Sequence, residues 1–550
     1  MYQSMKKLVP PFLNALHYKE KTAIVDIFGK HSYNGLLQQS KILAKKMISV
    51  AQKDSGLNPL ALHNQTIAFL CSNDHTYVNT QWAIWMTGGT AVPLSRYHPP
   101  NELQYIIKDC SPSIIVGTEQ YSDILSDITK KLDTDLLIFE SLLKDTTQIK
   151  HQNTGKNLFK EAVINDKNLE TTWDNIDWSN TNAHIVYTSG TTGHPKGVVT
   201  TFKNLLSQVN DINTSWEVSA TDGYLHVLPL HHVHGIVNNL ICPLYAGACV
   251  TMLDGFDAKK VWSNLLENEN VNVFHAVPTI YSKLIDYHQN ELKEQSNNIV
   301  KTLTSKLRLM VSGSAALPVP VLKKWQEISG HLLLERYGMT EIGMALTNSL
   351  NGKRIEGSVG KPFPSVKFRI VSEDGRIVLC EGDSENIIQH QEGVGALEIK
   401  GESVFKGYLN LDNVTKESFN DEGWFLTGDT AMYDQEEDVI RILGRTSVDI
   451  IKSGGYKLSA LEIEKYLLVI PGVKEVAVVG LPDEVYGESV CAIMVPEKDF
   501  DIDLTYIRES CQDKMAKYKI PSKLKVVDEI PKNAMGKINK KELKATLFKE

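Results

Sequence analysis

Tyr187-Thr188-Ser189-Gly190-Thr191-Thr192-Gly193-His194-Pro195-Lys196-Gly197 is a loop suited to holding phosphate. It follows the β-branched, apolar run His184-Ile-Val-Tyr187 and so opens at the end of a strand. Its glycines let backbone N–H groups approach anionic oxygens closely. Its hydroxyls donate further hydrogen bonds, and Lys196 supplies compensating charge. The competing reading is a Walker A loop, which needs G-x-x-x-x-G-K-[ST]. Here Pro195 precedes Lys196 and Gly197 follows it, so the Gly-Lys pair and the magnesium-binding hydroxyl after it are both missing. A solvated Ser/Thr/Gly turn is the bland alternative, and eleven consecutive residues of this character argue against it.

Around this loop, short β-branched runs alternate with helix-like stretches, the pattern of α/β architecture. Thr66–Cys71, Tyr224–Leu228 and Val271–Phe274 read as strands; Asn204–Val209 and Ala258–Leu266 read as helices. The region from Glu119 to Asp177 is polar and reads as surface. The last hundred or so residues form a unit of their own. It has a strand at Val439–Leu443, a Gly454-Gly455 turn and a helix from Ser459, whose Ser459/Glu462 spacing is a capping box. A strand at Val476–Gly480, a helix over Tyr506–Tyr518 and a terminal segment Pro531–Lys541 complete it.

Size and composition agree with this division. A hydrophobic core stops growing near ~250–300 residues, so 550 residues require two or more domains. With 42% hydrophobic and 23% charged residues, the chain is neither disordered, collagenous nor a coiled coil. The net charge of -8 gives no support to an extended nucleic-acid surface. Seven scattered cysteines without a CxxC pair argue against a disulfide framework or structural zinc, and for a reducing compartment. The most apolar stretch, Ile236–Met252, is broken by two Asn, a Pro and a Gly and falls short of the ~20 residues of a membrane span. The first nineteen residues carry three lysines and no acid, which hints at a targeting peptide; the lack of Arg and the Pro10-Pro11 pair argue against one.

The phosphate loop resembles the signature of the adenylate-forming superfamily, which contains acyl-CoA synthetases, luciferases and peptide-synthetase adenylation domains. Further stretches resemble that family's motifs in the same order. They are Ser312–Pro318, Glu335-Arg-Tyr-Gly-Met-Thr-Glu341, Gly357–Pro362, Gly395–Gly401, Trp424-Phe-Leu-Thr-Gly-Asp429, Gly444-Arg445, Lys452–Tyr456 and Pro531–Lys537. The resemblance implies a multidomain α/β protein: a large N-terminal α/β domain of packed sheets and helices, over 21–444, and a small mobile α+β C-terminal domain, over 449–550. A hinge over 445–448 joins them, and 1–20 is a possible targeting segment. It implies ATP, Mg2+ and coenzyme A as ligands.

By the same resemblance, Thr188, Ser189, Gly190, Thr191, Thr192, Gly193 and Lys196 hold phosphates, and Ser314 and Tyr337 face the adenine. Thr340 donates to the α-phosphate, Glu341 binds magnesium, and Asp429 and Arg445 take the ribose. Lys537 is the lysine that contacts the carboxylate and the ribose/phosphate oxygens, so Lys537, Thr340 and Glu341 form the catalytic set. Gly454, Gly455 and Tyr456 line the coenzyme A side. The residue types suit these tasks. A carboxylate accepts two hydrogen bonds from ribose hydroxyls, a hard oxygen ligand beside phosphates suits magnesium, and cations screen an anion approaching an anion. Bland alternatives exist for each: a surface lysine for Lys537, a turn Asp for Asp429, a hinge salt bridge for Arg445, a core aromatic for Tyr337, a helix-capping Glu for Glu341. The hinge departs from the family pattern, with Ser447 where Asp or Lys is common and Asp449 nearby.

Arg336, immediately before Tyr337, bears on the acid. A guanidinium beside an acyl pocket is costly unless it meets an anion, and Arg pairs with carboxylates bidentately. That points to a short dicarboxylic acid, of which malonate is the smallest good candidate; a structural pair with Glu335 is the alternative. Ser312 and His234, the latter in Leu230–Gly235, are assigned to the same pocket. The whole pattern also resembles the malonate–CoA ligases, in particular the mitochondrial animal type, which implies a mitochondrial location. Ligation of methylmalonate or another short- or medium-chain acid, and an adenylation enzyme with a non-CoA acceptor, are the competing readings. The chain ends thirteen residues after Lys537, so no carrier-protein domain is expected within it. Small molecules are the expected partners.

Overall fold

In the computed structural model, residues 8–52, 58–132, 134–139, 149–151, 166–188, 195–372, 374–454, 456–498, 500–512, 514–532 and 538–548 are described. Among them, three sheets build the large domain. A nine-stranded sheet runs in the order Lys361–Pro362, Gly343–Thr347, Leu334–Met339, Leu309–Ser312, Val273–Ala276, Gly223–His226, Cys249–Met252, Thr22–Asp26, Gly29–Ser32. From Leu334–Met339 to Thr22–Asp26 all neighbours are parallel. These strands are short and apolar, as expected where helices cover both faces. The helices Ala258–Glu267, Pro278–Tyr287 and Val319–Ser329 supply the crossovers between them. Parallel order has a functional consequence: the carboxyl ends of successive strands come to one edge, where open α/β sheets bind ligands. His226, His275 and Ser312 lie at such ends, and Arg336 and Tyr337 lie just past Glu335, which pairs with Ser312 at the end of the neighbouring strand.

An eight-stranded sheet runs Gly407–Tyr408, Lys196–Thr201, Asn182–Thr188, Thr90–Pro93, Thr66–Leu70, Ile114–Thr118, Asp135–Phe139, Ile149–His151. Its hairpin Asn182–Thr188/Lys196–Thr201 pairs Thr188 with Lys196 and brackets the phosphate loop. The helix that follows, Phe202–Ser215, starts at a full capping box between Thr201 and Asn204. The polar region from Glu119 to Asp177 is more than surface. It supplies the two outer strands of this sheet and the helices Ser122–Leu132 and Asp166–Trp173. Leu125, Ile128, Leu136, Leu169 and Trp173 are buried there. Its lysines and aspartates occupy the outward faces of amphipathic elements, which hides the inward pattern.

The third sheet is antiparallel, in the order Ile387–Gln389, Val378–Gly382, Val366–Val371, Val394–Gly401, Phe425–Asp434, Val439–Arg445. Residues 8–20 also join the large domain: Phe12 is fully buried, edge-on to Trp173 and Trp178 at 5.1 and 5.8 Å.

The chain leaves the third sheet through a turn in which Val448 N and Asp449 N both donate to Arg445 O. Beyond it Ile450–Ser453, Tyr456–Ser459, Val473–Asp483, Gly487–Pro496 and Lys523–Val526 form a separate sheet. Two apolar clusters of its own pack against it. Ser459 caps the helix Ala460–Leu467 by accepting from Glu462 N. The helix expected over Tyr506–Tyr518 runs Leu504–Cys511 and ends where Gln512 turns extended. No helix among the described residues is long and apolar enough to cross a membrane. All seven cysteines are free.

Candidate active site

The strand Leu334–Met339 carries three charged or polar residues in a row, and its alternation separates them. Glu335 accepts from Gly357 N at 3.2 Å. Burial pushes its carboxyl up to about 7, against the lowering field of Lys465. Arg336 is not its partner. The guanidinium is 4% exposed, Nη2 has only a long contact to Ser314 Oγ at 3.4 Å, and Nε has no partner among the described residues. Burial alone pushes its pKa down to about 9, with no neighbouring acid to restore it. The chain makes room for this group: a Cβ at Gly313 would lie 2.5 Å from Arg336 Nε. A buried cation left in this condition is completed by an anion.

His234 lies beside Arg336, its Nδ1 3.0 Å from Ser314 Oγ. Ser312, expected in the same pocket, is buried with no partner for its hydroxyl among the described residues, but it pairs with Glu335 across the sheet and so takes the face opposite to Arg336. His234 opens a π-helix, His234–Ile241, a rare form that frequently marks functional sites. Ser314, expected at the adenine, has its hydroxyl among other partners. Its backbone is left-handed at φ 69°, and its hydroxyl sits between His234 Nδ1 and Arg336 Nη2. Four further polar side chains, His226, His275, Asn238 and Asn239, are fully buried in this part of the molecule and were given no role from the sequence.

Next to Arg336 in the strand comes Tyr337, a residue expected at the nucleotide. Tyr337 donates through its hydroxyl to Asp429 Oδ2 at 2.5 Å. Arg445 Nε meets Asp429 Oδ1 at 3.0 Å, and Arg445 Nη1 donates to Thr427 O at 2.7 Å. The strand register places Asp429 opposite Arg445, so backbone pairing enforces the contact. Burial raises the Asp429 pKa, opposed by Arg445 and Tyr337. Thr340 lies in the turn after the strand. Glu341 accepts from the Tyr408 hydroxyl at 2.9 Å, and Lys196 Nζ lies 4.4 Å from the centre of the same ring. Tyr408 therefore bridges the phosphate-loop lysine and Glu341; only the sheet pairing of Gly407–Tyr408 with Lys196–Thr201 brings it there. A carboxylate accepts up to four hydrogen bonds, so Glu341 keeps capacity for a hard cation.

Thr188 is partly exposed, and its hydroxyl makes a long contact to Lys196 O at 3.4 Å. On the small domain, Gly454 is left-handed at φ 57° and donates to Tyr486 O, and Tyr456 is exposed and stacked on Tyr518 at 4.3 Å. Ser189, Gly190, Thr191, Thr192, Gly193, Gly455 and Lys537 lie outside the described residues.

Comparison with known proteins agrees with this geometry. The family described as AMP-binding enzyme matches residues 12–409, and the AMP-binding enzyme C-terminal domain matches 462–537. The mitochondrial malonate–CoA ligase ACSF3 of Xenopus laevis is 44% identical over 98% of this chain and 92% of its own length. A malonate–CoA ligase of Arabidopsis thaliana is 42% identical over 84% of this chain and 75% of its own. The crystal structure of ATP-bound MatB from Rhodopseudomonas palustris superposes with a TM-score of 0.80 at 29% identity, covering 98% of each chain.

Proposed function

The chain belongs to the AMP-binding enzyme family, and from that membership we propose that it is an AMP-forming acid–thiol ligase that joins malonate to coenzyme A. The observation that carries the choice of acid is Arg336, a buried guanidinium with no acidic partner among the described residues. Malonate offers one carboxylate for reaction and a second, across a single methylene, for Arg336. The names of the relatives at 44% and 42% identity support the same acid.

The reaction takes two displacements. A malonate oxygen attacks the α-phosphorus of ATP, the bond from that phosphorus to the bridging oxygen breaks, and pyrophosphate leaves. The coenzyme A sulfur then attacks the acyl carbon, the bond from that carbon to the AMP oxygen breaks, and the thiol proton is released with AMP. Arg336 fixes the distal carboxylate and so aims the reacting one, which lowers the entropic part of the barrier. Lys196 and Lys537 screen the approach of two anions, and Thr340 donates to the α-phosphate. Asp429, oriented by Tyr337 and Arg445, accepts from the ribose hydroxyls. Mg2+, where bound, neutralises phosphate charge, and Glu341 is the residue suited to hold it.

We place the hinge in the 445–448 turn, which lies between the two family matches. Gly454, Gly455 and Tyr456 are assigned to the thiol side, and a mitochondrial location follows the name of the Xenopus relative.

The test is a substrate panel on the full chain, with malonate, methylmalonate, acetate and octanoate, read as AMP and pyrophosphate formation. Malonate is expected to have the highest kcat/KM. Equal or faster turnover of acetate or octanoate refutes the assignment.

A further inference from the structure

We infer that His275 is a specificity-determining residue of the acyl pocket, hydrogen-bonding the acid group that Arg336 holds. The inference rests on the malonate reading above and adds to it a residue to which the sequence assigned no role.

His275 lies at the carboxyl end of Val273–Ala276, the strand next to the one that ends at Ser312. It is fully buried, and neither ring nitrogen has a partner among the described residues. A core histidine normally spends both nitrogens on backbone or side-chain partners, because an unpartnered buried polar group bears its full desolvation cost. His275 is also held in one orientation. Trp216 and Tyr224 pack against its ring at centroid distances of 5.3 Å each, and the His234 ring lies 6.2 Å away. Asn239 donates to its backbone oxygen at 3.4 Å.

It is not alone. His234 Nε2 and Arg336 Nε are likewise buried and without a partner among the described residues, and the register puts His275, Val311 and Leu334 on the face that Arg336 shares. Burial and the field of Arg336 both hold His275 and His234 well below the usual imidazole range, so both rings stay neutral at physiological pH. A neutral imidazole donates one hydrogen bond and accepts one. Beside Arg336 it can therefore donate to a carboxylate oxygen that the guanidinium leaves free, without adding a second buried charge. An acid with an apolar tail would leave these groups unpaired, and sites built for hydrogen bonding reject such analogues strongly.

The experiment is steady-state kinetics of the full chain and of H275F and H275N, on malonate and on butyrate. H275F is expected to lower kcat/KM for malonate about 10- to 100-fold, chiefly through KM, with butyrate unchanged or improved. H275N restores a donor and should recover a large part of the malonate loss, and the KM for ATP should not move. Equal losses on both acids, or an unchanged malonate-to-butyrate ratio, overturns the inference. Should H275F fail to fold, nitrogen-15 spectra of histidine-labelled wild type decide, with the His275 signals assigned by their loss in H275N. Malonate must shift them; unmoved signals refute the role. A wild type that does not prefer malonate over butyrate brings down the malonate reading itself. A wild type that prefers it, with H275F keeping that preference, removes only His275.

Discussion

Replacing Arg336 with methionine separates two effects that usually coincide. In the wild type the guanidinium's pKa is lowered from its ordinary value to about 9 by burial alone. The group is charged in both folded and unfolded chains below pH 9, so burial destabilises the folded state across the neutral range. The shift corresponds to at most about 5 kcal/mol, part of which ordered water returns. The penalty shrinks as pH rises above 9 towards the unfolded value. Met fills similar space without charge, so Arg336→Met should raise the thermal midpoint of the large domain by about 2–5 °C. Malonate turnover should move the other way. Leaving its distal carboxylate unpaired in the pocket costs about 3–5 kcal/mol, or roughly two to four decades in kcat/KM. Acetate and butyrate, which make no such pair, should lose far less or gain. The assays are calorimetry at pH 7.5 and pyrophosphate release on each acid. A variant less stable than wild type, or one that loses all acids equally, refutes the unpaired-cation reading.

Lys537→Ala should abolish malonate-dependent pyrophosphate release yet spare attack of coenzyme A on preformed malonyl-AMP; comparable loss of both half-reactions removes Lys537 from its assigned step. Asp26, buried, accepts from Phe28 N, His31 Nε2, His75 N and His75 Nδ1 at 2.8–3.0 Å. Burial raises its pKa, but the bonds from His31 and His75 outweigh this and hold it well below the carboxylate range. A lowered carboxylate stabilises above the unfolded pKa and loses that contribution as pH falls. Asp26→Asn should therefore cost about 2–4 kcal/mol at pH 7 by urea unfolding, the gap narrowing below about pH 4; a pH-independent gap counts against it. Lys540, 7% exposed, bridges Asp449 and Glu464 at 2.7 Å each. Lys540→Met should expose the small domain to proteolysis before the large one, since two partly buried carboxylates lose their cation at about 2–4 kcal/mol; unchanged digestion would contradict this.

What the sequence revealed was local. The phosphate hairpin, the capped helices after Thr201 and Ser459, and the Asp429 and Arg445 motifs each draw their meaning from a few consecutive residues. The acyl pocket does not. His234, His275 and Arg336 come from separate elements, and only the parallel order of the central sheet brings them together. Arg336 stood out because it adjoins a motif; His275 stands in an apolar strand and reads as core. Tyr408 reaches Glu341 through a two-residue strand too short to leave a periodic signal. Ser314 sits within a recognisable loop, but the direction of its hydroxyl depends on a left-handed backbone that the residue type does not announce. The Tyr506–Tyr518 helix fails for another reason: Ile507, Cys511 and Met515 keep helical spacing and all face the small-domain core, yet Gln512 breaks the backbone between them.

The pocket also explains why selectivity and stability pull apart in this chain. A net charge of -8 leaves many carboxylates that could neutralise Arg336, yet none among the described residues does. Its nearest acid in sequence, Glu335, is turned to the opposite face by strand alternation and bonded to Gly357 N. The surrounding groups are imidazoles and hydroxyls, which bond to an anion but do not cancel a cation. An internal carboxylate would stabilise the fold and occupy the place of the substrate's own. The unpaired guanidinium is thus a local cost retained for recognition, the kind of conflict between stability and function expected at a binding site. It follows that malonate binding and Arg336→Met should relieve the same strain. Malonate should raise the thermal midpoint of the wild type and leave that of the variant unmoved.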